Sequence, residues 1–248
     1  MSTNSLIRIR PGRIEAAAAV ALYGVYEIVR GFGGENWDAA RLHTADIVAA
    51  ERSLGVFREH AIQTASASVP GLAGLLGILY ISLHFVGTIV FLIWVHRRRP
   101  EAFGVVRTTL VVATGLALVG YLTYPAAPPR LANLGFTDTV TKSAGINLSS
   151  DLLGALYNPL AAVPSLHFGY SLLVGVGLAV LARRRWVKVL GALYPAAMLY
   201  IIVATGNHFF VDALLGGAVV VAAWFVARAL ARAERRTGAR ARALVLSR

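Results

Sequence analysis

Long apolar runs alternate with short basic clusters along this chain. The first run, Ile14 to Val29, is rich in Ala, Val, Leu and Tyr and carries Glu15 and Glu27 near its ends. It is a little short of the roughly 20 residues of a membrane span. The small residues suited to signal cleavage stand at its beginning, before most of its apolar core, so it reads as a retained first helix. Gly31, Gly33 and Gly34 break it. From Glu35 to Gln63 the chain is polar, yet Ala40, Ile47, Ala50, Leu54, Phe57 and Ile62 recur at roughly helical spacing. That pattern predicts an amphipathic helix at the membrane surface, or equally a solvated helix packed on the rest of the protein.

Val69 to Val95 is a transmembrane run stopped by His96-Arg97-Arg98-Arg99-Pro100, and Gly104 to Tyr124 is the next span. Tyr124-Pro125-Ala126-Ala127-Pro128-Pro129-Arg130-Leu131 ends it, because consecutive prolines cannot continue a helix. The polar stretch Ala132 to Asn158 is long for a connector and reads as a lid or re-entrant loop. Spans follow over Ser165 to Ala182, Trp186 to Ala204 and Phe209 to Leu230, before an arginine-rich tail. The predicted fold is all-α: a polytopic integral membrane protein, a six-transmembrane-helix bundle with an interfacial amphipathic helix. We read residues 1–248 as a single membrane domain, with a core over about 69–230 and a basic tail over 231–248.

Composition agrees with the pattern. Hydrophobic residues make up 57% and charged residues 15% of 248, with a mean hydropathy of +0.65. An ordinary soluble domain is nearer ~25% charged. The net charge of +12 lies in clusters between apolar runs, as the positive-inside rule requires, so it gives no reason to invoke a nucleic-acid partner. With the N-terminus inside, the inner segments Met1–Arg13, His96–Arg107, Arg183–Lys188 and Arg228–Arg248 are all strongly basic, and the outer ones are balanced or acidic. The expected location is the plasma membrane, with both termini cytoplasmic. There is no cysteine, which excludes disulfides, thiolate nucleophiles and Fe–S sites.

This topology brings Arg130, His167, His208 and Asp212 to outer-face helix ends. His208 and Asp212 stand four apart, so the carboxylate can accept from the imidazole, fix its tautomer and make the other nitrogen a better nucleophile or base. His167 opens a helix after Pro164, where Ser165 and the free N–H groups of Leu166 and His167 can face an anion. Arg130 adds a planar cation suited to phosphate oxygens. Two histidines, a carboxylate, a hydroxyl, an arginine and a helix N-terminus together specify phosphoryl transfer, with one histidine attacking phosphorus and the other protonating the departing oxygen. Two other readings stay open. Zinc at His208 and Asp212 would need His167 as a further ligand. A non-catalytic transporter or scaffold would use the histidines structurally, although transporters gather polar groups near the midplane rather than at one interface.

Asn158-Pro159-Leu160-Ala161-Ala162-Val163-Pro164-Ser165-Leu166-His167 and Ala204-Thr205-Gly206-Asn207-His208-Phe209-Phe210-Val211-Asp212 resemble the second and third motifs of the type 2 phosphatidic acid phosphatase superfamily. Leu166 within Pro-Ser-Leu-His and the stretch Tyr124 to Arg130 resemble its aureobasidin-resistance, inositol-phosphorylceramide-synthase-like branch. Glu51, Leu54, Gly55, Glu59 and Gln63 are similar to a segment ahead of the core in that branch. The resemblance covers about Arg41 to Gly217. It implies His208 as the nucleophile forming a phosphohistidine, Asp212 as its orienting partner, and His167 as general acid on the leaving group, with Ser165 and Arg130 holding the phosphate. It also implies that neither metal nor cofactor is needed and that the substrate is a lipid phosphate, pyrophosphate or phosphodiester, its phospho-group released to water or passed to another alcohol. Two positions depart from the wider pattern: Ile202, six before His208, replaces a phosphate-binding arginine, and Tyr124 to Pro129 lacks the first motif's lysine. Fewer cations suit a phosphodiester and a transferase reaction, or imply help from Lys142. A phosphatase acting on a polyprenyl or glycerolipid phosphate is the alternative.

The remaining polar residues have plainer readings. His84, inside the second span, is expected to make a helix-to-helix hydrogen bond, and His43, His60 and His96 sit near interfaces without a catalytic part. Trp37, Trp94 and Trp186 suit the headgroup region. The terminal arginines are expected to anchor the tail to anionic membrane lipids.

Overall fold

The structure is a computed structural model that describes residues 21, 24–25, 36–146 and 158–246. The expected first helix, Ile14 to Val29, therefore lies outside the described residues except at 21, 24 and 25. The chain divides into two units, Met1–Glu35 and Asn36–Arg248, and the second carries every element below.

That unit is helical. Helices α1 (Trp37–Ser53) and α2 (Glu59–Ala67) precede α3 (Leu72–Arg98) and α4 (Pro100–Thr123). After the 3-10 turn Pro129–Leu131 come the short α5 (Thr139–Ala144), then α6 (Leu166–Leu181), α7 (Arg185–Ala204) and α8 (Phe210–Leu246). Four helices are long and apolar enough to cross a membrane, namely α3, α4, α7 and the Phe210–Thr237 part of α8. Helix α6 is apolar but has only 16 residues, about 24 Å against the ~30 Å of a hydrocarbon core. Of the six expected spans the first lies outside the described residues, and the other five are four long helices and one short one.

Three further expectations change. The single amphipathic helix over Glu35 to Gln63 is two helices, because Gly55 turns the chain with φ +71°, a conformation that suits a residue without Cβ. The last helix does not stop near Leu230 but runs on through the arginine-rich tail to Leu246, since Ala and Arg both favour helix and no proline interrupts it. The stretch Ala132 to Asn158 contains α5, capped by Asp138, whose Oδ1 accepts from Thr141 N at 3.1 Å; 147–157 lie outside the described residues.

Side chains that stay exposed on the long helices are large and apolar: Phe85 and Ile89 on α3, Val119 on α4, Leu190 on α7, Phe225 on α8. They suit hydrocarbon rather than water. Inside the bundle, α6 packs closely on α7 through Gly175 and Gly191, where an added Cβ on either would fall within 3.0 Å of the other's carbonyl oxygen, the small-residue contact by which helices approach in a membrane. Helix α8 packs on α4 and α6. The basic clusters 96–99 and 183–185 meet at one end, where Arg99 donates from Nε (2.9 Å) and Nη2 (2.7 Å) to Leu181 O. The opposite end, formed by the last residues of α4 and α7 and the first of α6 and α8, holds the candidate chemistry.

One glycine ties that end together. A Cβ at position 216 would collide with the Ser165 carbonyl oxygen. Gly216→Ala is therefore expected to lower stability by about 1–3 kcal/mol through overpacking, whereas Gly115→Ala, with nothing within 4 Å, is expected to be neutral or slightly stabilising. Thermal unfolding of both variants in detergent checks the contrast, and equal behaviour would contradict it.

Candidate active site

Three segments at the helix ends meet here. Ala126 pairs with Ala161 as an isolated parallel bridge, with Ala126 N donating to Leu160 O at 3.0 Å and Ala162 N to Ala126 O at 3.3 Å. Arg130 N donates to Gly206 O at 2.9 Å, and Ser165 N to Asp212 O at 2.9 Å. The segments 124–131, 158–165 and 205–212 are thus fastened to one another by main-chain bonds.

His208 lies in the turn before α8, not in the helix. Asn207 N and His208 N both donate to Ile202 O, at 3.0 and 3.2 Å, and Gly206 allows the turn with φ +69°. Phe209, fully buried between Phe57 and Phe136, pins it from the other side. The imidazole of His208 is buried, with Nδ1 at 3.1 Å from Ala162 O and 3.3 Å from Asp212 Oδ2. A carbonyl oxygen can only accept, so the proton is assigned to Nδ1 and the lone pair to Nε2. Asp212 Oδ2 also accepts from Phe209 N at 2.9 Å, so one carboxylate oxygen holds both the ring and the first turn of α8.

His167 opens α6 after its N-cap Ser165, whose Oγ accepts from Phe168 N at 3.4 Å. Its ring centroid stands 5.5 Å from that of His208. Two side chains one turn apart on α3 flank it: Tyr80 stacks at 4.3 Å and 15°, and His84 lies at 4.2 Å. His84 also stacks on Tyr170 at 5.3 Å, and the Tyr170 hydroxyl bonds Thr114 on α4. The hydrogen bond expected of His84 is replaced by ring stacking, because its buried Nδ1 has no partner and the available neighbours are aromatic faces. Polar-residue counting pointed to His84 but not to Tyr80, which reads in sequence as an ordinary apolar-face residue.

Arg130 reaches the same turn. Its Nε donates to Asn207 Oδ1 at 2.9 Å and its Nη1 to Asp138 Oδ2 at 2.9 Å. Asn207 is held in turn by donating from Nδ2 to Thr205 Oγ1 at 2.9 Å. Ile202 is fully buried in the core with Met198 and Tyr80, so no basic group stands where the wider pattern has one. Lys142 is exposed on α5. All five predicted site residues, Arg130, Ser165, His167, His208 and Asp212, therefore gather around the turn 205–212. Asp138, Asn207 and Tyr80 join them without having been singled out in the sequence.

Two more carboxyls approach from α1 and α2. Glu51 Oε1 accepts from Val211 N at 2.8 Å, and Glu59 Oε1 from Phe210 N at 3.2 Å. Gln63 clasps the loop next to α5, accepting from Thr137 N at 2.8 Å and donating to Thr137 O at 2.9 Å. Three residues of the segment before the core thus support the site through main-chain groups.

Comparison with known proteins places this geometry in a family. The family model described as the PAP2 superfamily matches residues 45–226. A relative from Bacteroides thetaiotaomicron, named phosphoinositol dihydroceramide synthase, is 29% identical over 125 residues, which span 44% of this chain and 40% of the relative. No solved structure matches. The family model covers nearly three-quarters of the chain, including all five site residues, and with the joined turn, the paired histidines and Arg130 it leads to one conclusion: the chain belongs to the PAP2 superfamily.

Proposed function

We propose that the protein is a membrane-embedded phosphotransferase that passes a phospho-headgroup between lipid or polyol alcohols through a phosphohistidine on His208. The observation that carries this reading is the Nδ1–H of His208 held between Ala162 O and Asp212 Oδ2, which leaves Nε2 as the nucleophilic atom beside a second imidazole. Superfamily membership supports a lipid phosphatase or phosphotransferase.

In the proposed first step Nε2 of His208 forms a bond to phosphorus, the bond from phosphorus to the leaving alkoxide breaks, and protonated His167 gives that oxygen its proton. In the second, an acceptor alcohol attacks phosphorus, passes its proton to His167, and the phosphorus–nitrogen bond breaks. Arg130, the Ser165 hydroxyl and the first N–H groups of α6 would hold the non-bridging oxygens. Asp212 supports the positive charge that develops on His208. Hydrolysis differs only in that water replaces the alcohol.

Two observations favour a diester and transfer. Arg130 is already engaged by Asp138 and Asn207, and Ile202 supplies no charge, so the site is poor in cations for a dianionic monoester. The Bacteroides relative is named a synthase of a phosphoinositol lipid. We further propose that the site faces the outer leaflet, with the basic ends of the bundle inside.

Phosphate release and headgroup exchange by the purified protein test the reaction. With phosphatidic acid, polyprenyl phosphate, or phosphatidylinositol plus a lipid alcohol, new phospholipid is expected only from the diester and only with acceptor, EDTA is expected to have no effect, and His208→Ala should lose about a thousandfold or more. Free phosphate from monoesters without acceptor would make it a phosphatase, EDTA sensitivity would indicate a metal, and undiminished activity in His208→Ala would leave the histidines a structural part only.

Sidedness has its own test, made simple by the absence of cysteine. In intact cells a membrane-impermeant maleimide is expected to label Lys142→Cys directly and Arg236→Cys only after permeabilisation. The reverse pattern would place the site inside.

A further inference from the structure

The first turn of a buried helix exposes N–H groups that no intrahelical carbonyl can accept. At the start of α8 three successive donors find carboxyl oxygens: Phe209 N meets Asp212, Phe210 N meets Glu59 and Val211 N meets Glu51. All three carboxyls are fully buried. Glu51 and Glu59 lie on separate helices, joined by the Gly55 turn, and the Glu59 carboxyl is close enough to disfavour a charge on Glu51. Their second oxygens, Glu51 Oε2 and Glu59 Oε2, are buried with no hydrogen-bond partner. Two ionised carboxylates have no proton to share, and each would be a buried charge with an unsatisfied oxygen. A single proton between them satisfies both oxygens and leaves one negative charge beside the positive end of the α8 dipole.

We propose that Glu51 and Glu59 are a one-proton carboxyl pair that positions His208, fixing the first turn of α8 so that Asp212 Oδ2 stays on the histidine Nδ1. They are positioning residues that hold the amides two and three residues along the main chain from His208, and their bearing on catalysis rests on the reading of His208 given above. The titratable groups around the pair are Asp212 on α8 and His208 in the turn; Arg52 and Arg58, neighbours in sequence, are exposed. Burial, the neighbouring Glu59 carboxyl and the charge of Asp212 push the Glu51 carboxyl up to about 9, against the opposing pull of Val211 N–H.

The sign of the pH effect follows. Between its ordinary value of 4.5 and about 9, Glu51 holds its proton in the folded state and loses it in the unfolded state. Its contribution to stability is therefore complete below pH 4.5 and declines as pH rises toward 9, by up to about tenfold in the unfolding constant per pH unit. Glu51→Gln keeps an acceptor for Val211 N–H and a donor for Glu59, and it removes the titration. Glu51→Ala removes all three.

Three measurements on the full-length protein in detergent test the pair without any substrate. Infrared spectroscopy at pH 7 is expected to find a protonated buried carboxyl in the wild type that is missing in Glu51→Gln. Nitrogen-15 spectra of the histidine rings are expected to report a fixed Nδ1–H on His208 in wild type and in Glu51→Gln, and exchange between tautomers in Glu51→Ala. Unfolding followed from pH 5 to 9 is expected to weaken less steeply in Glu51→Gln than in wild type. No protonated carboxyl in the wild type would overturn the shared proton, and so would a Glu51→Gln variant with the wild-type pH dependence. An unchanged His208 tautomer in Glu51→Ala would overturn the positioning role. None of these readouts needs turnover, so failure of the proposed reaction would appear only in the activity assay and stay distinguishable from failure of the pair.

Discussion

A helix that begins in a buried place must have acceptors brought to it, and the start of α8 imposes that constraint on the whole unit. Its first free N–H groups receive oxygens from Asp212, Glu59 and Glu51, whose carboxyls are fully buried. The demand explains why a polar segment ahead of the spans is folded into the protein instead of lying loose at the surface. It explains the Gly55 turn, which sets α1 and α2 so that residues eight apart in sequence serve adjacent amides. The same constraint reaches the chemistry, because Asp212 uses one oxygen for both Phe209 N and His208 Nδ1. Where the helix starts and which histidine nitrogen carries the proton are one structural fact.

The electrostatics around that fact are economical in cations. Arg130 is bound to Asn207 and Asp138, Ile202 fills a core position, and Lys142 is exposed on a short helix. A preformed fork of this kind offers directed hydrogen bonds at little reorganisation cost. Aromatic neighbours do the rest of the positioning: Tyr80 and His84 on α3 flank the ring of His167, so a long apolar helix far away in sequence sets the geometry of that imidazole. Membrane spans here serve as walls of a site as well as anchors.

Much of this was legible in the sequence and some of it was not. Hydropathy located α3, α4, α6, α7 and the start of α8 because lipid-facing and core-facing residues are both apolar, which makes spans easy to see and their packing faces hard to tell apart. For that reason Tyr80 went unnoticed, and His84 was given a hydrogen bond where the structure stacks its ring. The spacing of His208 and Asp212 revealed their pairing, although the helix begins between them. The segment of Glu51, Gly55, Glu59 and Gln63 stood out only by resemblance, since nothing local announces that a glutamate will accept from an amide more than 150 residues away. The break between α1 and α2 was hidden by a hydrophobic rhythm that continues across Gly55, and the long extension of α8 by charges that read as a tail.

The central claim is that His208 carries the phospho-group covalently. The most direct measurement is to quench the purified protein during turnover of a lipid substrate labelled in its phosphate and to map the protein-bound label by mass spectrometry. The account predicts an acid-labile, alkali-stable phosphoryl adduct on His208 that is absent from His208→Ala. Turnover with no adduct on any residue, or an adduct on another side chain that persists in His208→Ala, would contradict it.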